Sequence, residues 1–275
     1  MRLTTKIIIG AILSVFLISV VFIISISFSG KKNSNRSKIY NIELSQNNIS
    51  GIELSPFNTI IIDAVPYESD KNFFSISDDC HIYFNSITEQ DNSNAMFIPE
   101  SFIDFVSTAT YGDTLSIKLD LFGIGNKYKS DENKVHYISG LNINFRVSKI
   151  DVINNMWNLN INAKNLETDS IKINSDGDIS IDNCKAQYIE PVLKSNHFKL
   201  NITNSEAKKV HLDLDYLQNL SIKNSNIEEE YMTGSRTRHI TWQRNESGKI
   251  NWVPKDANAE LIIKIQGEPT QIIFP

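Results

Sequence analysis

The sequence predicts an all-β protein: a single-stack, β-helix-like β-solenoid of about 20 residues per coil, with an N-terminal transmembrane helix. Three observations predict this fold. Short strand-like segments recur at regular spacing in the second half, a long apolar run lies near the N-terminus, and isoleucine and asparagine are abundant while glycine, proline and alanine are scarce. Because isoleucine packs well in strands and asparagine tolerates tight turns, this composition favours many short strands joined by tight turns.

The apolar run extends from Ile7 to Phe28, after a short tail of residues 1–6, and contains no charged side chain. As a helix rising about 1.5 Å per residue, it would span roughly 33 Å, and the hydrocarbon core of a bilayer is about 30 Å thick. A buried helix of a soluble domain usually keeps a polar stripe, so a bilayer span is favoured. We therefore predict a transmembrane helix whose partner is the lipid bilayer.

The end of the apolar run leaves cleavage open. A cleaved signal peptide has an apolar region of roughly 7–15 residues, which is shorter than this run. Ser27 and Ser29 are nevertheless small residues that could precede a cut ahead of Gly30. We favour an uncleaved signal anchor, with secretion after cleavage as the alternative.

The charges that flank the run do not decide its orientation. Basic residues occupy positions 2 and 6 on one side and positions 31, 32, 36 and 38 on the other. The run lies where export signals lie, and a long polar domain is translocated largely regardless of its charge. We therefore expect a cytoplasmic N-terminus and a domain on the outer side of the membrane.

Residues 29–38 read SGKKNSNRSK, a polar stretch that we interpret as a linker to a domain of residues 39–275. Strand-like runs in the first part of this domain include GIELS, NTIIIDAV, HIYFNSI and TLSIKLDL, and most of them alternate apolar and polar residues. The segment FIPESFIDF, residues 97–105, is interrupted by Pro99 and fits either an edge strand or one helical turn.

A repeat is visible from Leu141 onward. Short alternating runs begin 8 to 12 residues apart, and alternate members of the series are separated by about 20 residues. These runs begin at Leu141, Ile150, Leu159, Ile171, Ile179, Phe198, Val210 and Leu220, with a weaker run near Ile189. A period made of two short strands and two polar turns is typical of a solenoid, in which stacked coils bury one continuous core.

An antiparallel β-sandwich is the alternative fold, because it also shows strands every 8–12 residues. The doubled period favours the solenoid. Its open ends need capping strands, which we assign to the first-half strands and to the tail segments HITWQRN, KINWV, AELIIKIQG and QIIFP.

The chain resembles the head-GIN-type autotransporter adhesin domain family, a group of adhesin-like bacterial β-solenoids. The resemblance covers about Asn48 to Ile227 and rests on GIELS…NTIII, DDCHIYFNSI, YGDTLSIKL and the series LNINA…IKINSDGDISIDN…FKLNITNSE. The chain departs from the family pattern, because only the turn SDGD keeps a glycine and asparagine-rich turns replace the others. The resemblance implies a β-solenoid of the bacterial cell envelope, and with the apolar run it places the chain in the inner membrane with its domain in the periplasm.

Two clusters of ligand-type side chains are candidates for a metal site. Asp78, Asp79, Cys80 and His81 are adjacent, but metal ligands usually come from separated segments, so we interpret them as a polar turn. Asp176 and Asp178 flank Gly177 without the further carboxylates of a calcium loop, so we predict a β-turn there.

Catalytic candidates are weaker. Asp213 and Asp215 alternate along VHLDLDY and could pair as sugar-cleaving acids, but alternation on a solvated face explains them without catalysis, and we favour that interpretation. Glu228, Glu229 and Glu230 are interpreted as a solvated face. Four scattered histidines lack a serine or cysteine partner, and three tryptophans favour capping or core packing over sugar stacking. These residues are His136, His197, His211 and His239, and Trp157, Trp242 and Trp252.

Cys80 and Cys184 are the two cysteines, so a disulfide scaffold is excluded; they form either one disulfide or two separate buried thiols. The net charge of −5 disfavours nucleic acid, which needs a basic surface. We predict no catalytic residue, metal or cofactor. The expected function is a structural or binding, adhesin-like one, with an envelope protein or a glycan as partner. A sensor membrane protein and a carbohydrate-active enzyme are the alternatives.

Overall fold

The computed structural model describes residues 38–43, 48–65, 72–77, 79–88, 93–128, 134–194, 198–242, 248–265 and 271–274. The strands of the first half are β1 (Lys38–Glu43), β2 (Ile49–Leu54), β3 (Thr59–Val65), β4 (Asn72–Ile76), β5 (His81–Ser86), β6 (Asn94–Pro99), β7 (Val106–Tyr111), β8 (Thr114–Asp120), β9 (Lys134–Ser139) and β10 (Asn142–Val147). The strands of the second half are β11 (Val152–Asn155), β12 (Asn160–Lys164), β13 (Glu167–Ser175), β14 (Ile179–Asp182), β15 (Lys185–Leu193), β16 (Phe198–Thr203), β17 (Glu206–Asp213), β18 (Leu217–Lys223), β19 (Asn226–Gly234), β20 (Arg238–Trp242), β21 (Lys249–Pro254), β22 (Leu261–Ile265) and β23 (Gln271–Phe274).

Helices are short in the described residues: α1 (Glu100–Ile103), α2 (Leu121–Tyr128) and one 3₁₀ turn (Leu214–Tyr216). None of them is long and apolar enough to cross a membrane. The predicted anchor Ile7–Phe28 and residues 29–37 of the predicted linker lie outside the described ranges. The segment FIPESFIDF contains the predicted helical turn, since α1 directly follows Pro99. The strand before it, β6, lies between β10 and β2, so the suggested edge strand is wrong.

Two large sheets make up most of the described structure, which confirms the all-β prediction. The eight-stranded sheet has the order β18-β16-β14-β12-β5-β10-β6-β2, and the nine-stranded sheet has the order β21-β19-β17-β15-β13-β11-β3-β8-β7. Two three-stranded sheets have the orders β1-β9-β4 and β20-β22-β23.

The chain alternates between the two large sheets in its second half. From β12 to β19 each strand belongs to the opposite sheet from the strand before it, and it pairs in parallel with the strand two places along the chain. In the eight-stranded sheet Ile161, Ile179, Leu200 and Leu220 are successive partners, at steps of 18, 21 and 20 residues. These strands therefore form parallel ladders with the period of about 20 residues that the sequence predicts.

First-half strands extend the same ladders. β5 lies between β10 and β12 and is parallel to both, and β3 is parallel to both β8 and β11. Antiparallel pairing appears among β2, β6 and β10, between β7 and β8, and between β22 and β23.

The core lies on the inward faces of the large sheets. Alternation places Ile179 and Ile181 of β14 inside, and Leu200 and Ile202 of β16 at the next position of the ladder. All four side chains are fully buried. Burial of each such side chain stabilises the fold by about 1.5–3 kcal/mol, so the stacked strands share one continuous apolar core.

Candidate functional site

An asparagine corner joins each strand of the eight-stranded sheet to the next strand of the nine-stranded sheet. Asn165, Asn183, Asn204 and Asn224 follow β12, β14, β16 and β18, and all four have a left-handed backbone with φ between 49° and 57°. Asparagine tolerates this conformation better than other side-chain-bearing residues. The corner thus turns the chain without glycine.

A polar ladder runs inside this corner. Ser205 and Ser225 come directly after the left-handed asparagines and are buried. The backbone N–H of Cys184 donates to Ser205 Oγ at 3.1 Å, and the N–H of Ser205 donates to Ser225 Oγ at 3.1 Å. Since each bond links one repeat to the next, the corner fixes the register of the strands on both sides.

The register aligns the outward side chains of the eight-stranded sheet. Neighbours along one row are Asn144, Tyr83, Asn162, Ser180, Asn201 and Ser221, from β10, β5, β12, β14, β16 and β18. We call this row the amide–hydroxyl row. Parallel strands lie about 4.8 Å apart, so the row repeats a hydrogen-bonding side chain at that interval.

A groove of about 580 Å³ lies at the start of this row, and we call it the Arg146 groove. Its lining residues are Ile49, Asn85, Ser86, Thr88, Phe97, Asn144, Arg146 and Asn165. The Arg146 guanidinium lies over the Phe97 ring, 4.2 Å from its centroid. A Cβ on Gly51 would come within 3.2 Å of the ring, so the glycine leaves room for Phe97 in this position.

The outward face of the nine-stranded sheet carries an aromatic ladder and ion pairs. The His211 ring lies 5.0 Å from that of Tyr188 and 4.7 Å from that of Tyr231. The Tyr231 hydroxyl donates to Glu229 at 2.6 Å, and this bond lowers the pKa of Glu229. Ion pairs such as Lys172–Glu190, at 2.8 Å, also join neighbouring strands, but exposed pairs contribute little stability.

Asp213 and Asp215, the candidate sugar-cleaving pair, are brought together, and Lys255 binds both at 2.6 and 3.3 Å. Asp213 also caps the 3₁₀ turn by accepting from the N–H of Asp215. Burial raises the pKa of Asp215, but the N–H of Ser235 and the ammonium of Lys255 outweigh this and leave the pKa below its usual value. A general acid in sugar cleavage has a raised pKa, so Asp215 does not have the environment of that acid.

The candidate cluster at residues 78–81 diverges in the structure, and Asp78 lies outside the described residues. Asp79 accepts from the N–H of Gly140 at 3.2 Å, the Cys80 thiol is buried and donates to the Ile138 carbonyl, and His81 points outward beside Tyr83. The described residues contain no group of three or more His, Cys, Asp or Glu side chains placed to hold a metal ion.

The turn at Asp176–Asp178 binds its own neighbours. Asp178 accepts from the N–H of Lys199 at 2.8 Å, and Asp176 lies 3.7 Å from Lys194. A Cβ on Gly177 would lie 2.2 Å from the carbonyl oxygen of Leu159, so the backbone of the preceding repeat requires glycine here. The predicted β-turn is a packed corner of the stack.

The cysteines are two separate buried thiols and form no disulfide. Cys80 donates to the Ile138 carbonyl at 3.2 Å, and Cys184 contacts the Ala163 carbonyl at 3.5 Å. Burial raises the pKa of each thiol to about 11. Both are therefore protonated and unreactive near neutral pH.

One predicted solvated face is wrong in part. Glu228 is exposed, but Glu230 is completely buried, because strand alternation in β19 turns it inward beside Val210 and Ile250.

Of the other candidates, His136 is buried, His239 is exposed and His197 lies outside the described residues. Trp157 and Trp252 pack against the core as expected, whereas the side chain of Trp242 lies outside the part of the chain that the structure describes.

Comparisons with known proteins find solved structures that are similar to this chain but do not show which family it belongs to. No family model matches the chain, and no curated protein matches it. A Bacteroides fragilis protein provisionally named an adhesin is similar, with 15% identity, a TM-score of 0.43, and coverage of 82% of this chain and 96% of that one. A Parabacteroides distasonis protein provisionally named a lipid-binding protein has 12% identity, a TM-score of 0.39, and coverage of 83% and 98%. A Parabacteroides merdae protein, also provisionally named an adhesin, has 10% identity and a TM-score of 0.34, with coverage of 83% and 98%. Membership of the head-GIN-type family stays a prediction.

The sequence did not identify the Arg146 groove or the aromatic ladder. Its one readable signal was the asparagine followed by a small or apolar residue, which recurs at positions 165, 183, 204 and 224. Aligning the strands on these corners would have aligned the outward side chains of β12, β14, β16 and β18.

Proposed function

We propose that the chain is a non-catalytic, adhesin-like binding protein of the bacterial cell envelope, built as a β-solenoid of about 20 residues per coil. In this proposal Ile7–Phe28 holds it in the inner membrane, and residues 39–275 lie on the periplasmic side. The uncharged apolar run supports the membrane anchor, and the parallel ladders of β12 to β19 support the solenoid shape.

One observation carries the binding role: the outward side chains of six neighbouring strands are aligned in the amide–hydroxyl row. A stack of short repeats gives an extended surface in which the same chemistry recurs, and such surfaces are used for binding. The described acidic pair does not support catalysis, because Lys255 binds both Asp213 and Asp215.

The experiment uses the full chain in lipid nanodiscs with isolated cell envelopes stripped of loosely held protein. Saturable binding to the envelopes, without release of new sugar reducing ends, is expected. Release of reducing ends or the absence of binding would overturn the proposal. Protease added to spheroplasts should digest the domain, and digestion only in inside-out vesicles would reverse the proposed orientation.

A further inference from the structure

The Arg146 groove presents amide groups that the protein itself does not use. The side chains of Asn85 and Asn144 are half-buried in the groove lining and have no hydrogen-bond partner in the described part of the chain. Each amide offers two donors and one acceptor with two lone pairs. The groove therefore has unused capacity to donate and accept hydrogen bonds side by side.

The same chemistry continues beyond the groove. Asn201, Ser180 and Ser221 of the amide–hydroxyl row likewise have no side-chain partner in the described residues, and Tyr83 adds an aromatic ring and a hydroxyl. Neighbouring positions of the row are about 4.8 Å apart. A ligand that matches this surface is itself a chain of similar units, each with groups that both donate and accept.

Other classes of ligand fit this surface less well. The centres of protein interfaces are enriched in aromatic side chains and depleted in serine, whereas this row is mainly asparagine and serine. Nucleic acid needs a basic surface, and the chain carries a net charge of −5. A lipid tail needs an apolar pocket, and most residues of the groove lining are polar.

We propose that the Arg146 groove binds a carbohydrate, and that a longer carbohydrate chain continues along the amide–hydroxyl row. This inference rests on the proposed binding function and names its ligand class. Sugar hydroxyls donate and accept, so they pair with Asn85 and Asn144, while Phe97 holds the Arg146 guanidinium in place beneath them. Asn165, at the asparagine corner, closes the groove on the side of β12.

The test measures binding of the full chain in nanodiscs to a panel of labelled oligosaccharides. The panel contains trisaccharides and longer chains of glucose, mannose, N-acetylglucosamine and galacturonic acid. The groove variant combines Asn85→Ala with Asn144→Ala, and the control is Asn219→Ala, an exposed asparagine in β18 of the same sheet. Because none of these side chains has a partner in the described residues, all variants are expected to fold.

At least one sugar class should bind, the groove variant should weaken that binding about tenfold or more, and Asn219→Ala should leave it unchanged. Asn201→Ala should weaken binding of the longer chain only, since a trisaccharide stays within the groove. Unchanged affinity in the groove variant would overturn the site. If the chain binds isolated envelopes but none of the sugars, the proposed ligand class is wrong and the proposed binding function stands. If it binds neither envelopes nor sugars, the ligand class and the binding function are both wrong.

Discussion

The side-chain amide of Asn183 donates a hydrogen bond of 2.7 Å to the side-chain oxygen of Asn165, its counterpart in the preceding repeat. Both residues have a left-handed backbone. Asn204, at the next corner, donates instead to Asp182 at 3.0 Å and helps to lower the pKa of that carboxyl. Local conformation and contact between repeats therefore depend on the same asparagines.

Asn183→Ala should lower the free energy of unfolding by about 1–2 kcal/mol, since alanine in a left-handed conformation is strained and the bond to Asn165 is lost. Asn183→Gly loses the bond but tolerates the backbone, so it should cost less. Urea unfolding followed by circular dichroism measures both. Equal effects of the two substitutions would show that the backbone conformation at this corner does not matter.

Ser205→Ala should cost about 1–3 kcal/mol, because it leaves the buried N–H of Cys184 without its acceptor. Ser180→Ala is the matched control, since Ser180 points outward and has no side-chain partner in the described residues; its effect should be below about 0.5 kcal/mol. The same urea experiment compares them. Similar losses for both serines would contradict the role of the inner ladder.

Lys255→Met should raise the pKa of Asp215, because the ammonium helps to hold that pKa below its ordinary value of 3.8. A carboxyl whose pKa is lower in the folded chain than in the unfolded chain stabilises the fold at pH values above its unfolded-state pKa. This stabilisation is lost as the pH falls through the folded-state pKa. The variant should therefore lose less stability than the unmodified chain when the pH falls below about 4.

Carbon-detected nuclear magnetic resonance of the Asp215 carboxyl gives the pKa directly, and urea unfolding at several pH values gives the stability. The control is Lys185→Met, because Lys185 and Glu206 form an ion pair 3.8 Å apart that is well exposed on both sides. That variant should leave the acid dependence unchanged. An unaltered Asp215 pKa in Lys255→Met would show that the Lys255 ammonium does not lower this pKa.

Both native thiols should resist modification at pH 8, because burial raises the pKa of Cys80 and Cys184 to about 11. Ellman's reagent should detect two thiols per chain only after unfolding in guanidinium. Ser221→Cys should add one thiol that reacts at once, because Ser221 faces outward. Rapid reaction of the unmodified chain, or a disulfide in it, would contradict the structure.

Much of the ladder could be predicted from sequence because it depends on local pattern. Alternation identified the strands of the second half, and the spacing of about 20 residues indicated that the runs beginning at Ile179 and Phe198 are neighbours in one ladder. The structure pairs these strands, although the exact partner of Ile179 is Leu200. The inward turn of Glu230 was missed because three consecutive glutamates look like a solvated run, although alternation places the third one inside.

The groove could not be predicted because it depends on strand order. β5 lies between β10 and β12, which follow it by more than fifty residues in the chain. Only this insertion places Asn85 beside Arg146, and only the antiparallel pairing of β6 with β10 places Phe97 under the guanidinium. Spacing along the sequence carries no information about these neighbours.

Pulsed electron paramagnetic resonance between spin labels on the amide–hydroxyl row tests the stacked ladders most directly. One label replaces Asn144, and the second replaces Asn162, Ser180, Asn201 or Ser221 in turn; the buried native thiols stay unlabelled. The stack predicts distances that grow by about 4.8 Å at each step, to about 24 Å for Ser221. Distances that do not increase in this order would contradict the parallel stack and the surface built on it.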